Sequence, residues 1–256
     1  MTMPNATSSA PSPPRLEHEH HPEAIARRLA VQPRSSYLRD WLYGGMDGAV
    51  TTLAIAAGAA GGRFSPLVIM VLGLANVFAD GFSMAASNFL GTRAEAEEYR
   101  RLQARERNHI QLDPAGETEE IRQIYQAKGF HGDDLERAVS ILTANQEQWV
   151  ATMLSEEYGL GSATRSPWLA AGSTMLAFVL CGLVPLLPFF LRFPHPDPFA
   201  AGCTLLVFFG LGAGKSRWSL QPWWRSGCET VFIGLLAAGT AFLLGRGLHG
   251  LLGKWI

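Results

Sequence analysis

The feature that most constrains this chain is an apolar stretch that turns into charged sequence without a break, from Leu72 to Arg101. Within its apolar part, polar and sulfur-containing residues recur at every fourth position: Asn76, Asp80, Met84 and Asn88. Side chains four residues apart lie over one another on a helix, so the spacing predicts one polar stripe. A carboxylate and a thioether on a membrane-length apolar helix indicate a metal path, and the charged end predicts a stalk that leaves the membrane.

Two apolar blocks flank a charged middle, although only 17% of the 256 residues are charged and 48% are hydrophobic. The apolar blocks are long enough for about five spans of roughly 20 residues. We therefore expect an all-α membrane protein with five transmembrane helices and a cytoplasmic helical domain inserted between the second and third spans. The net charge of -1, without a Lys/Arg-rich run, predicts no nucleic-acid partner.

The domain boundaries follow these changes in composition. We expect a cytoplasmic tail at 1–36, spans one and two at 37–91, the helical domain at 92–165 and the last three spans at 166–256. The tail should be disordered over its first 14 residues and should contain a short helix with Pro22 in its first turn. A cluster in this tail has metal-binding side chains, but adjacent histidines in a flexible tail are usually just solvated: Glu17, His18, Glu19, His20 and His21.

The first span carries Asp47 about two turns from its start, among glycines and alanines. An ionisable group at that depth costs several kcal/mol unless it faces water or a partner, which favours a functional role. Small residues such as Gly44 and Gly48 predict close approach by a neighbouring helix. In the second span no Lys or Arg is available to pair with Asp80, so its carboxylate needs water, a metal or another helix.

Turn and cap residues divide the middle domain into short helices. Pro114 should end the stalk, and Gly129 should close the next helix in a left-handed conformation. Two further helices begin at residues with capping-box spacing, namely Asp133 with Glu136 and Asn145 with Gln148. This pattern predicts a compact helical domain.

The same domain contains pairs of potential metal ligands three or four residues apart: Glu106 with His109, Glu117 with Glu120, and Met153 with Glu157. Each pair projects from one face of a helix, so the pairs can converge on one ion. Carboxylate, imidazole and thioether together suit a divalent transition metal better than calcium or magnesium. Acidic residues on amphipathic helices are also commonly just a solvated face, and spacing alone favours that interpretation.

Basic residues predict the orientation. Arginines precede the first span and open the middle domain, whereas the opposite side has few positive charges. By the positive-inside rule, the N-terminus and the middle domain lie in the cytoplasm and the C-terminus lies outside.

Two motifs carry a resemblance to a known family. The segment YGGMDGAVTTLAIAAGAAGG, followed by DGFSMAASNFLGTRAEAE, resembles the vacuolar iron transporter family, whose members share a first-span Met-Asp-Gly and a second-span Ser-Met-Ala-Ala. The likeness extends over roughly residues 37–245 and includes the VPLLPF stretch of the third span.

The resemblance implies a homodimer of five-span subunits in the lipid bilayer that moves ferrous iron, and often manganese, out of the cytoplasm in exchange for protons. It implies no permanently bound cofactor, since Fe²⁺ or Mn²⁺ is the transported ion and protons are the counter-ion. Asp47 and Met84 match the family's transport site. Its cytoplasmic metal ligands match a larger set: Glu106, Glu117, Glu120, Met153 and Glu157, with His109 where a glutamate is usual.

This chain departs from the family pattern at two positions of the second span. Ser87-Asn88 stands where many members have Gly-Glu, and Asp80 occupies a position that is usually small and apolar. Asp80 would then supply, on the same helix face, the charge that Asn88 lacks. The expected membrane is the plasma (inner) membrane in a bacterium and a vacuolar-type membrane in a eukaryote.

Two other function classes are open to a chain of this composition. One is a membrane-anchored metal sensor or storage module, in which the middle domain binds metal without transport; the polar stripe of the second span argues against it. The other is an enzyme. The sequence has no nucleophile–base pair, phosphate-binding glycine loop or closed His/Cys metal set, so we expect no enzymatic activity.

Overall fold

The computed structural model describes residues 19–30, 35–161 and 165–252, and every regular element in these ranges is helical. The predicted disorder of residues 1–14 and two members of the histidine cluster, Glu17 and His18, lie outside the described residues. The other three members of that cluster precede helix α1, Pro22–Ala30, which begins at the predicted proline. This helix belongs to a unit of its own, residues 1–34.

Helix α2 is the centre of the second compact unit, which spans residues 35–256. It covers Leu38–Gly61 and packs against α3 (Pro66–Leu112), α7 (Pro167–Leu183), α9 (Pro196–Lys215) and α10 (Trp223–Leu252). Its position at the centre follows from its small side chains, which let four neighbours approach its backbone.

The glycines of α2 set how closely these helices approach. A Cβ atom on Gly48 would lie 2.4 Å from the carbonyl oxygen of Phe178 on α7, and one on Gly44 would lie 2.5 Å from that of Thr174. On the α10 side, a Cβ on Gly61 would lie 2.3 Å from the carbonyl oxygen of Phe242. The close approach predicted from the small residues is therefore confirmed.

Prolines interrupt the third apolar helix. Helix α7 ends at Leu183, a 3₁₀ turn follows at Val184–Leu186, and the short α8 covers Leu187–Phe190. Pro185 and Pro188 lack the N–H groups that a continuous α-helix would need at this point.

Four helices of the described ranges are long and apolar enough to cross a membrane: Pro66–Leu112, Pro167–Phe190, Pro196–Lys215 and Trp223–Leu251. Helix α2 has 24 residues, which is long enough, but it is not among the four. Glycines, threonines, Asp40 and Asp47 dilute its apolar character. The structure therefore supports four spans among the described residues, and α2 as a further span stays a prediction.

The helical domain consists of the end of α3 together with α4 (Pro114–Ala127), α5 (Gly132–Thr143) and α6 (Gln146–Glu156). Its core includes Leu102, Ile121, Val139, Trp149, Met153 and Leu154. The predicted stop at Leu112 and the left-handed Gly129, with φ 95°, are confirmed.

Of the two predicted capping boxes, one is present as its N-cap half. The Asn145 side chain accepts hydrogen bonds from the N–H groups of Glu147 and Gln148 at the start of α6. The prediction for α5 was wrong, because this helix begins one residue before Asp133 and its N-cap side chain makes no capping bond. Glu136 instead pairs with Arg122 of α4, at 2.9 Å.

Candidate functional site

The turn between α3 and α4 brings the end of the long helix next to the start of the following one. Asp113 ends α3, and its carboxylate accepts a hydrogen bond from the Gly116 N–H at 2.9 Å, which caps α4. Pro114 at the first position of α4 needs no hydrogen-bond partner for its nitrogen. As a result, Glu106 and His109 on α3 lie beside Glu117 on α4.

Three side chains at this turn converge as a metal site requires. His109 Nδ1 lies 3.2 Å from Glu117 Oε1 and 4.0 Å from Glu106 Oε1. One ligand atom from each residue lies within 4.8 Å of the other two. Both carboxylates are buried, since Glu106 is 1% exposed and Glu117 is 5% exposed, whereas His109 is exposed.

The second oxygen of each buried carboxylate is unpaired within the described residues. Glu106 Oε1 accepts a hydrogen bond from the Tyr158 hydroxyl at 2.9 Å, but neither Glu106 Oε2 nor Glu117 Oε2 has a hydrogen-bond partner there. Leaving a buried acceptor unsatisfied is costly, so such atoms call for a ligand. A divalent cation is one kind of ligand that would satisfy such an acceptor.

Electrostatics at this cluster favour a bound cation. Burial, followed by the negative charges of Glu106 and Glu120, raises the pKa of Glu117 to about 7. Burial also raises the pKa of Glu157, with further contributions from Glu106 and Glu120. The cluster therefore concentrates like charges that a proton or a metal ion would neutralise.

The predicted domain ligands are thus brought together to different degrees. Glu106, His109 and Glu117 are within ligand distance of one another, while Glu120 and Glu157 are exposed and interact with them electrostatically. Met153 is fully buried in the apolar core of the domain. It lies one turn before Glu157, whose N–H donates to the Met153 carbonyl at 2.9 Å.

A second group of predicted site residues lies on the membrane part of α2 and α3. The Asn76 amide donates to Thr51 Oγ1 at 3.2 Å, and this hydroxyl donates to the Asp47 carbonyl at 2.9 Å. Asp47 and Asp80 lie on these two neighbouring helices. Both carboxylates are exposed on the single chain, and Met84 is half-buried.

Asn88 belongs to a different environment from the other stripe residues. Its amide nitrogen donates to Asp40 Oδ1 at 3.0 Å and to Thr174 Oγ1 at 2.7 Å. A spacing of four residues advances about 40° around a helix, so three such steps turn Asn88 about 120° away from Asn76. The four residues therefore do not form one face, and the geometry places Asn88 among α2, α3 and α7.

Sequence reasoning missed the charged centre of this environment. Asp40 is 7% exposed, and the Arg165 guanidinium pairs with its second oxygen. Arg165 also lies over the ring of Tyr37, at 5.4 Å from the ring centroid. The available signal was that Asp40 and Arg165 stand at the starts of two predicted spans, where opposite charges can pair.

Comparisons with known proteins find one family and its relatives over most of the chain. Residues 38–246 match the model of the VIT family. The chain is 32% identical over 213 residues to vacuolar iron transporter 1 of Arabidopsis thaliana, covering 82% of this chain and 85% of that protein. It is 31% identical over 218 residues to vacuolar iron transporter 2 of Oryza sativa subsp. japonica, covering 84% and 88%. A vacuolar iron transporter of Plasmodium falciparum (isolate 3D7) is 29% identical over 220 residues, 81% of either chain.

Proposed function

The chain belongs to the VIT family, and from this premise we propose that it carries ferrous iron, and also manganese, out of the cytoplasm by exchange with protons. Metal transport in general follows from its relatives, which are named as vacuolar iron transporters. The choice of ion, the counter-ion and the residues involved are our proposal.

The observation that carries the proposal is the convergence of Glu106, His109 and Glu117, in which each of the two buried carboxylates keeps one oxygen without a partner among the described residues. Two carboxylates and an imidazole suit Fe²⁺ and Mn²⁺ alike. In this proposal the cluster captures the ion from the cytoplasm, assisted by the charges of Glu120 and Glu157.

Asp47 and Met84, with Asp80, form the transport step in the membrane. Asp47 and Asp80 are exposed on a single chain, and an ionised carboxylate facing lipid is unfavourable by several kcal/mol. A second copy of the chain covering this face would remove both carboxylates from lipid and place four of them around one path. We therefore propose a homodimer with the path between the copies.

In this proposal the carboxylates that bind the metal also exchange protons. A protonated carboxylate has lost the charge that holds the metal, so one group can bind the metal and the proton in turn. Glu117, with a pKa of about 7, would change its protonation state near neutral pH. Arg93 and Arg100 at the start of the helical domain support a cytoplasmic location for it.

The test is ion flux into proteoliposomes that contain the full chain. We expect Fe²⁺ uptake that depends on an opposing proton gradient and that Mn²⁺ inhibits competitively. Asp47→Ala should reduce uptake by at least about a hundredfold, because it removes the only carboxylate that α2 offers within this path. Uptake by this variant at the parent rate would refute the site assignment, and flux indifferent to the gradient would refute proton exchange.

The same assay separates transport from binding alone. A membrane-anchored sensor or storage module would bind Fe²⁺ at the Glu106 cluster and show no flux across the vesicle membrane under any gradient. The exposed Asp47 and Asp80 favour transport, because helices that only anchor a domain in the membrane do not require carboxylates there.

A further inference from the structure

An apolar groove lies between α3 and α7 on the membrane side of the molecule. It has a volume of about 550 Å³ and is lined by Phe82, Ala85, Phe89, Trp168, Gly172 and Met175, among others. Phe82 is 70% exposed and Trp168 is 77% exposed on the chain. The groove is therefore open to whatever surrounds the helices.

A basic pocket of about 600 Å³ continues the groove toward the helical domain. Phe89 and Trp168 line both cavities, and their rings pack with centroids 4.6 Å apart at the junction. Beyond these rings the lining contains Arg93, Arg100 and Arg165. The two cavities thus form one site with an apolar part and a cationic part.

The cationic part keeps a positive charge after its ion pairs are counted. Arg93 pairs with Glu97 at 2.7 Å, and Arg165 pairs with Asp40. The cationic part therefore has three guanidinium groups and only two carboxylates paired with them. Arginine binds phosphate oxygens well because its planar group donates several hydrogen bonds in a fixed geometry.

The start of α7 adds a second feature that suits an anion. Ser166, Pro167 and Trp168 line the basic pocket, and they form the first turn of this 17-residue helix. The Ser166 side chain makes no capping hydrogen bond, and its N–H donates to the Tyr37 hydroxyl oxygen. Pro167 has no N–H, so the N–H groups of Trp168 and Leu169 are the ones left for another acceptor in this turn. The partial positive charge of a helix N-terminus favours a negative ligand.

The dimensions of the site match one leaflet of a bilayer. Phe82 and Arg93 are separated by about 16 Å along α3, at 1.5 Å per residue. Half of a typical hydrocarbon core is about 15 Å. An acyl chain in the groove would thus hold its headgroup at the level of the arginines.

We propose that this composite site binds an anionic glycerophospholipid, with its phosphate among Arg93, Arg100 and the first turn of α7 and an acyl chain along Phe82, Phe89 and Gly172. Basic pockets between membrane helices are a recognised form of anionic lipid site. A second copy of the chain fits less well, because a two-fold contact through this face would bring the arginine clusters of both copies together.

The experiment counts phospholipids bound to the full chain. The protein is reconstituted in vesicles of phosphatidylcholine with one-fifth phosphatidylglycerol, extracted in a mild neutral detergent and analysed by native mass spectrometry. Phosphatidylglycerol should be enriched over its share in the vesicle. Arg93→Gln and Arg100→Gln should each weaken its retention about fivefold, the effect of about 1 kcal/mol per basic residue at a membrane surface.

A second variant tests the apolar part without touching the arginines. A Cβ on Gly172 meets no atom within 4 Å, so Gly172→Leu fills the groove and leaves the helix packing intact. It should reduce phosphatidylglycerol retention as strongly as the arginine variants. Gly210→Leu on α9 is the matched control, because its Cβ also meets open space, and it should leave retention unchanged.

Several outcomes would overturn the proposal. One is equal retention of phosphatidylglycerol and phosphatidylcholine by the parent chain. Another is unchanged retention in both the arginine and the glycine variants. A Gly172→Leu chain that loses its oligomeric state while keeping its lipid would show that a second copy occupies the groove. Lipid counts need no metal, so this test is independent of the transport proposal.

Discussion

At the residue scale, Glu117 is a buried carboxyl group with a strongly raised pKa. Its ordinary pKa of 4.5 is raised to about 7 by burial and by the charges of Glu106 and Glu120, while His109 opposes the shift. A raised carboxyl pKa means that the folded chain holds a proton more tightly than the unfolded chain does. The free energy of unfolding therefore loses a contribution of up to about 3 kcal/mol as the pH rises from 4.5 through 7.

This shift predicts the pH dependence of metal binding. Below about pH 7 an incoming ion must displace the Glu117 proton, so affinity should fall up to tenfold per pH unit, whereas above pH 8 it should be nearly constant. Titration of the purified chain with Mn²⁺ between pH 5.5 and 8.5 measures this dependence. Glu117→Gln should bind more weakly at pH 8 and lose most of the dependence. An unchanged pH profile in that variant would assign the proton to another group.

The pair of Asp40 and Arg165 leads to a prediction about stability. Asp40→Asn keeps the shape of the side chain but leaves the Arg165 guanidinium, which is about one-third exposed, without its counter-charge. We expect the variant to lower the free energy of unfolding by about 2 kcal/mol, less than for a fully buried pair. Thermal unfolding in detergent measures the effect.

The control for this pair is Glu97→Gln, which removes the partner of Arg93 at an exposed site. That change should cost about 0.5 kcal/mol or less. The double variant Asp40→Asn with Arg165→Gln should recover part of the loss, since no unpaired charge remains. Equal shifts for Asp40→Asn and Glu97→Gln would contradict the assignment of a structural charge centre.

At the element scale, α2 and α7 approach each other so closely that a methyl group should separate them. Gly48→Ala places a Cβ 2.4 Å from the Phe178 carbonyl oxygen, and both of these groups are backbone-fixed. We expect a destabilisation of about 1–3 kcal/mol, typical of overpacking, seen as a lower unfolding temperature. Gly172→Ala on α7 meets open space and should be neutral or slightly stabilising. Equal effects of the two variants would show that the helices can move apart freely.

The element boundaries show what the sequence can determine. Pro22, Pro114, Asn145 and Gly129 act on their own backbone, so the helices end or begin where these residues predict. Glu136 failed as a capping residue because Arg122 of another helix offers a stronger partner. Tertiary competition of this kind is invisible in local spacing.

The candidate site likewise depends partly on local sequence and partly on tertiary contacts. Helical spacing identified the pairs that contain Glu106, His109 and Glu117, but the turn at Asp113 decides which pairs meet. The four-residue stripe of α3 predicted one polar face, whereas helix geometry turns Asn88 toward Asp40. Asp40 itself escaped notice because a carboxylate at a helix start is ordinary until its burial is known.

At the scale of the whole molecule, α3 connects the two proposed metal sites. It is one helix of 47 residues that contains Asp80 in its membrane part and Glu106 near its end. At 1.5 Å per residue, about 39 Å separates these two positions. Sites this far apart do not share ligands, so capture and membrane passage should be separable in kinetics.

If the chain transports metal as proposed, mutations at the two sites should change different kinetic constants. Glu106→Gln with Glu117→Gln weakens capture but leaves Asp47 and Met84 intact. The metal concentration at half-maximal uptake should rise by roughly tenfold or more, about 1.4 kcal/mol, while the maximal rate stays within about twofold. Asp47→Asn should lower the maximal rate instead. Proteoliposome uptake over a range of Fe²⁺ concentrations measures both quantities.

The matched control removes two negative charges from the same helices without touching the cluster. Glu95→Gln on α3 with Glu119→Gln on α4 changes exposed residues only, so uptake at low Fe²⁺ should stay close to that of the parent chain. If this control raised half-saturation as much as the cluster variant, the domain would act through its net charge alone. The cluster variant could instead lose maximal rate while the metal concentration at half-maximal uptake stays unchanged. That result would place Glu106 and Glu117 in the transport step and refute separate capture and transport sites on α3.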